Sequence, residues 1–193
     1  MSPLHQAPLE GSAHVYGDHI DTDRIIPGKY TKTLDLTQLS AHVLEDLDPT
    51  FRERMQPGDL VVGGDNFGCG SSREQAPLAL KYSGVSAVIA RSFARIFYRN
   101  AINIGLPLLE LPSLNRDFII EGGDQLRVDL TQGEIMNLTR ATRAQARPLP
   151  PVMRAILDAG GLTTLIAAHG GWPAHLSQSL EAEVSPLSTK ELL

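Results

Sequence analysis

The sequence predicts an α/β domain: a mainly parallel sheet flanked by helices, with an antiparallel hairpin attached. Three observations carry this. Between residues 59 and 111, short apolar, β-branched runs alternate with helix-forming stretches in the order strand, helix, strand, helix, strand, which implies right-handed crossovers between parallel strands. Two further runs, 125–130 and 134–139, are separated only by Thr131-Gln132-Gly133, a hairpin pattern. Finally, 193 residues with 42% hydrophobic content and a mean hydropathy of -0.09 fit one soluble domain with a substantial core.

The elements follow in order. Residues 1–12 carry prolines and no periodicity and are expected to be a leader, with the domain at 13–168 and a tail at 169–193. Ala13–Tyr16 reads as a short strand stopped by Gly17-Asp18. The loop His19 to Tyr30 holds two close acids and a histidine, which invites a metal reading. The acids lack the regular spacing and closing glutamate of a calcium loop, so turn chemistry by Asp and Thr is the better reading. Asp35 is placed to cap a helix through about Leu47, with Leu36, Leu39, Val43, Leu44 and Leu47 as its apolar stripe. His42 falls beside that stripe and reads as packed or solvated.

Asp59–Gly64 is a buried strand, and Glu74–Tyr82 the helix after it. Val85–Ala90 is the next strand, Ser92–Ile104 a helix closed by Gly105, and Leu106–Leu111 the third strand. Arg91, Arg95 and Arg99 fall at helical spacing and read as a solvated or salt-bridged row. The basic run Arg140–Arg147 is expected to be loop. A helix starts near Val152 after Pro148–Pro151 and ends at Gly160-Gly161, and Leu162–Ala168 prolongs it or forms another. The tail beyond Gly170-Gly171 should be loosely held, with Trp172 anchoring it against the domain or a partner.

Charge and cysteine content narrow the function. A net charge of -5 argues against general nucleic-acid or anionic-membrane binding. The single cysteine, Cys69, excludes an internal disulfide, a self-contained iron–sulfur cluster and a thiolate zinc site. No apolar run reaches membrane-spanning length and no signal-peptide pattern opens the chain, so a cytoplasmic protein is expected.

The chemistry concentrates in Asn66-Phe67-Gly68-Cys69-Gly70-Ser71-Ser72-Arg73-Glu74-Gln75, a glycine-rich turn between a strand and a helix. Its glycines permit unusual backbone angles and close approach of a ligand. Serines at a helix start can cap N–H groups, and those groups with the helix dipole favour an anion. Arg73 adds a planar fork suited to carboxylate or phosphate. These residues alone specify an anion site, which a non-catalytic, regulatory anion-binding module would explain equally well.

Two more stretches change that. Asp21-Thr22-Asp23, then Ile25-Ile26-Pro27 and Tyr30, precede the turn, and Ser92-Phe93-Ala94-Arg95-Ile96-Phe97 with Asn100 follows it. In this order and spacing the three motifs resemble the small subunits of the aconitase-type hydro-lyases, in the branch of isopropylmalate dehydratase and homoaconitase. The resemblance spans about residues 13–165.

It implies an aconitase-type swivelling β/β/α domain that covers the active site of a large subunit, with a [4Fe–4S] cluster held by that partner and no metal held by this chain. Cys69 is then a small packing residue. The implied reaction is reversible dehydration of a small hydroxy di- or tricarboxylate. Ser71 is implied as the base, with Asp23 orienting groups of the site, Ser72 donating to a substrate carboxylate and Arg73 gripping one. Thr31, Lys32 and Thr33 are implied to face the variable part of the substrate. Lys32 stands where homoaconitase-like proteins carry arginine, which suits an extra carboxylate; turned outwards, it would leave the threonine methyls for an isopropyl group. Isopropylmalate is the first expectation, with homocitrate and dimethylmalate or methylmalate as alternatives.

Overall fold

The structure is a computed structural model that describes residues 7–33 and 35–177. Seven strands form one sheet in the order β4-β3-β2-β1-β5-β6-β7. They are β1 (Leu9–Val15), β2 (Leu60–Gly63), β3 (Ala87–Ala90), β4 (Leu108–Glu110), β5 (Gln125–Asp129), β6 (Glu134–Asn137) and β7 (Thr142–Gln145). The first four are parallel neighbours, and β5 to β7 add antiparallel beyond β1. The α-helices are α1 (Thr22–Ile25), α2 (Leu36–Ala41), α3 (Phe51–Arg54), α4 (Gln75–Ser83), α5 (Arg95–Ile104), α6 (Pro151–Asp158) and α7 (Leu162–His169).

Strand side chains alternate between two cores, as a period of two requires. Val61, Val88 and Ala90 face α1, α2, α4 and α5 with Ile25, Leu39, Leu80 and Phe97. Leu60, Val62, Ala87 and Ile89 face the other way, onto Leu126, Val128 and Ile135. The sheet therefore curls until its antiparallel half covers the back of its parallel half, giving layers of β, β and α. A third cluster, with Ile102, Ile156, Leu157 and Leu165, seats α6 and α7 against α5.

Several local expectations change. The strand begins at Leu9, pairing Leu9 with Val128 and Gly11 with Leu126, so residues 9–12 belong to the sheet and not to a leader. Their backbone ladder carries them, not their side-chain pattern. Asp35 caps α2 through Thr37 N–H and Gln38 N–H, but the helix ends at Ala41 and Leu44 turns at φ +59°. Leu39, Val43 and Leu44 are still buried. Arg140–Arg147 contains strand β7, and its side chains are largely exposed. Arg91 precedes α5 and joins Asp18 and Asp65 in ion pairs, leaving no three-arginine row on that helix.

At the C-terminal end Trp172 is 40% exposed, whereas Leu176 is 5% exposed and packs into the third cluster. Leu176, and not Trp172, thus anchors the tail to the domain itself, and the chain up to residue 177 packs with the domain; 178–193 lie outside the described residues. Among the described residues no single helix is long and apolar enough to cross a membrane.

Candidate active site

Each of the three motifs begins where a parallel strand ends: residues 21–30 after β1, 66–75 after β2 and 92–100 after β3. Ligand sites of open α/β sheets lie outside these carboxyl ends because the connecting loops converge there. Here the loops are joined backbone to backbone. Gly68 N–H donates to Ile20 O at 2.8 Å, and Thr22 N–H to Cys69 O at 2.8 Å. Phe67 N–H donates to Ser92 O at 3.0 Å, and Ala94 N–H to Phe67 O at 2.9 Å. Beneath the join, Phe67 packs edge-on to Phe93 and Phe97.

Glycine is required twice in the central loop. Gly68 (φ +77°) lies against the Phe97 ring, where a β-carbon would overlap it. Gly70 (φ +90°) lies against the Asp21 carboxylate in the same way. The left-handed backbone and the lack of space make both positions glycine-specific.

Helix α4 starts at Gln75, with Glu74 at its N-cap and no side-chain cap. Ser71 and Ser72 therefore stand ahead of the helix and do not cap it, contrary to the plain capping expectation; both are exposed. Ser71 lines an open groove of ≈ 420 Å³ with Asn66, Gly68, Gly70, Ala94, Arg95 and Ile96. Arg73 forms an ion pair with Asp23 Oδ1. Asp23 is itself held by its N–H donating to Asp21 Oδ1 at 2.7 Å, the capping bond of α1.

Thr31, Lys32 and Thr33 follow the 3₁₀ turn Gly28–Tyr30. That turn lies over Arg73, since a β-carbon on Gly28 would sit 3.3 Å from Arg73 Nη1. The hydroxyls of Thr31 and Thr33 are engaged locally: Thr31 Oγ1 donates to Gly28 O at 2.8 Å, and Thr33 Oγ1 accepts from Asp35 N–H at 3.0 Å. Lys32 is exposed and makes no ion pair among the described residues. His42 stacks on Tyr30 with ring centroids 3.8 Å apart and contacts Glu45.

Two residues of the site escaped the sequence reading. Asp21 fills the space at Gly70 and caps α1. Thr22, 1% exposed, places its hydroxyl 3.1 Å from Ser71 O and 3.4 Å from Ser71 Oγ. Both lie in the first motif, but nothing in the letters Asp21-Thr22-Asp23 marks which side chain turns toward the glycine-rich loop.

Cys69 offers its carbonyl to Thr22, while burial and then the nearby Asp21 push its thiol pKa up. That is the opposite of what a reactive or ligating thiolate needs.

The fold and this loop cluster define a swivel-type domain of the aconitase class. The aconitase C-terminal domain family matches residues 11–114, and the chain belongs to that family. Within it the similarity is to dehydratase small subunits. The 3-isopropylmalate dehydratase small subunit of Moorella thermoacetica is 52% identical over 159 residues, covering 82% of this chain and 95% of that one. The 2,3-dimethylmalate dehydratase small subunit of Eubacterium barkeri is 50% identical over 159 residues, with 82% and 96% covered. The crystal structure of 3-isopropylmalate dehydratase from Methanocaldococcus jannaschii superposes with a TM-score of 0.79 at 43% identity, covering 90% of this chain and 99% of that one.

Proposed function

We propose that this chain is the small subunit of a 3-isopropylmalate dehydratase, interconverting 2- and 3-isopropylmalate by loss and return of water together with a large subunit. The observation that carries the reading is the convergence of Ser71, Arg73, Asp23 and Thr22 on one loop cluster, in a chain about half identical to such subunits over nearly their whole length. The family likeness implies a [4Fe–4S] cluster held by the large subunit, and a chain whose one cysteine, Cys69, has a raised pKa is compatible with that division. When bound there, the cluster supplies a Lewis-acidic iron to the substrate hydroxyl and carboxylate.

This chain's own residues then have separable tasks. Ser71 removes the proton from the carbon next to the one that bears the departing hydroxyl and returns it in the reverse direction. Arg73 grips a carboxylate with two parallel N–H bonds, which only a guanidinium can supply. Asp23 holds the Arg73 fork until substrate arrives and shares it afterwards. Ser72, exposed beside them, donates to a carboxylate oxygen. The groove at Ser71 gives the substrate room against Ala94 and Ile96.

A second substrate stays open on one observation: the dimethylmalate enzyme's subunit is nearly as similar, 50% against 52%. Lys32 stands at the position expected to divide an apolar substrate from the tricarboxylate homocitrate, and its exposure suits a side chain turned away from a pocket.

The deciding experiment is a panel assay of the chain reconstituted with its large subunit, using 3-isopropylmalate, 2,3-dimethylmalate and homoaconitate. The highest kcat/KM is expected for 3-isopropylmalate. A preference for dimethylmalate would transfer the reading to that reaction, and a preference for the tricarboxylate would overturn it.

A further inference from the structure

We propose that Thr22 is a positioning residue for Ser71: its hydroxyl fixes the serine's orientation and steadies the oxygen when it carries charge. The inference rests on the reading of Ser71 as base. Ser71 is exposed, follows Gly70 at φ +90° and stands ahead of the α4 helical ladder. A loop serine placed so loosely is a poor base unless something holds it, since a misplacement of about 1 Å can cost on the order of a hundredfold in rate.

Among the described residues, Thr22 is the one side chain that hydrogen-bonds to Ser71. It is itself held in place: 1% exposed, first residue of α1, its N–H bound to Cys69 O at 2.8 Å and its carbonyl accepting from Ile26 N–H at 3.0 Å. Its Oγ1 lies 3.1 Å from Ser71 O and 3.4 Å from Ser71 Oγ. Arg73 N–H also donates to Ser71 O at 2.8 Å. The carbonyl therefore keeps a partner if Thr22 turns away.

A threonine hydroxyl has one proton to give and two lone pairs to receive. While Ser71 is protonated, Thr22 gives its proton to Ser71 O and can receive the serine's. When Ser71 is an alkoxide, rotation about one bond turns the Thr22 O–H onto Oγ. The proton removed from substrate carbon goes to Ser71 Oγ, the C–H electron pair becomes the new double bond, and the C–O bond breaks with its electron pair leaving on the hydroxyl, which the Lewis acid of the large subunit would take. Thr22 keeps its own proton throughout and exchanges nothing with substrate.

The test uses the reconstituted two-subunit enzyme with 3-isopropylmalate, and the variants Thr22→Val, Thr22→Ser, Ser71→Ala and Thr22→Val combined with Ser71→Ala. Valine keeps the buried shape and deletes the hydroxyl. Thr22→Val is expected to lower kcat about ten- to a hundredfold with KM within about twofold. Thr22→Ser should restore kcat to within about threefold, and Thr22→Val should cost nothing more once Ser71 is alanine. A wild-type kcat for Thr22→Val, an equal loss in Thr22→Ser, or an undiminished further loss in the double variant overturns the role of Thr22 alone. A Ser71→Ala enzyme of near-normal kcat overturns the base itself. Should Thr22→Val fail to assemble with the large subunit, Thr22→Ala carries the same expectation, and failure of both marks the hydroxyl as structural and ends the inference.

Discussion

Gly70 and the Asp21 carboxylate fill one volume between them, and around that contact the site is decided residue by residue. Gly70→Ala puts a methyl group into the carboxylate at φ +90°, so we expect a loss of about 1–3 kcal/mol in thermal or urea unfolding and a larger loss of turnover. A variant as stable and active as wild type would remove Asp21 from its place. Arg73 is half-buried and pairs with the more exposed Asp23, whose contact with water screens the pair and keeps its contribution to stability small. Arg73→Lys should therefore leave the melting temperature unchanged while raising KM and lowering kcat, since a point charge replaces a fork. Unaltered kinetics would contradict the carboxylate grip. Cys69, its pKa raised by burial and by Asp21, should alkylate several-fold more slowly than a free thiol at pH 8. Rapid modification would show a thiolate that this site does not stabilise.

Elements with two-sided or strongly periodic apolar patterns were legible in the letters. Strands β2 and β3 are buried on both faces, so their side chains alone identify them. Gly84 and Gly105 stop α4 and α5 in left-handed geometry, the expected helix ends. By contrast, β7 is largely exposed, with only Ala144 partly buried, and exists through its ladder to β6, a fact about a neighbour and not about Thr142–Gln145. The first half of β1 was hidden for the same reason. The three motifs were visible one at a time, but their joining depends on backbone bonds between loops that no local pattern encodes. Lys81 shows another such tie: its ammonium reaches Ile104 O at the end of α5 and Gly160 O at 3.0 Å after α6. It shields carbonyls that have no helical partner. Lys81→Met keeps the stem and removes the donor, and should lower stability by about 1–3 kcal/mol in thermal unfolding. A neutral result would show that water replaces it.

On the scale of the whole molecule, buried carboxylates pin the two halves of the sheet. Asp59 accepts from Gln56 N–H, His14 and Ser12 N–H across β1 and β2. Burial pushes its pKa up, but these donors outweigh it and the net shift is downward. Asp124 behaves alike, held by Glu121 N–H, Asn137 and Arg140 beside the β5–β6 hairpin, and its pKa is also lowered. A folded pKa below the unfolded one means stability is fully present above the unfolded value and lost as pH falls through the folded value. The melting temperature should thus be level above about pH 5 and fall below about pH 4, with Asp59→Asn flattening part of that fall. A melting temperature that rises on acidification would contradict the assignment.

These pins make the sheet a firm base for three loops whose functional face is open, as suits a domain that completes its site against a partner. Ser71 is the residue proposed to move the proton. The most direct test is solvent-deuterium incorporation at the reacting carbon of isopropylmalate by the assembled enzyme carrying Ser71→Ala. Incorporation is expected to fall by about a thousandfold or more, with subunit binding and melting temperature unchanged. Incorporation at a rate close to wild type would contradict that role.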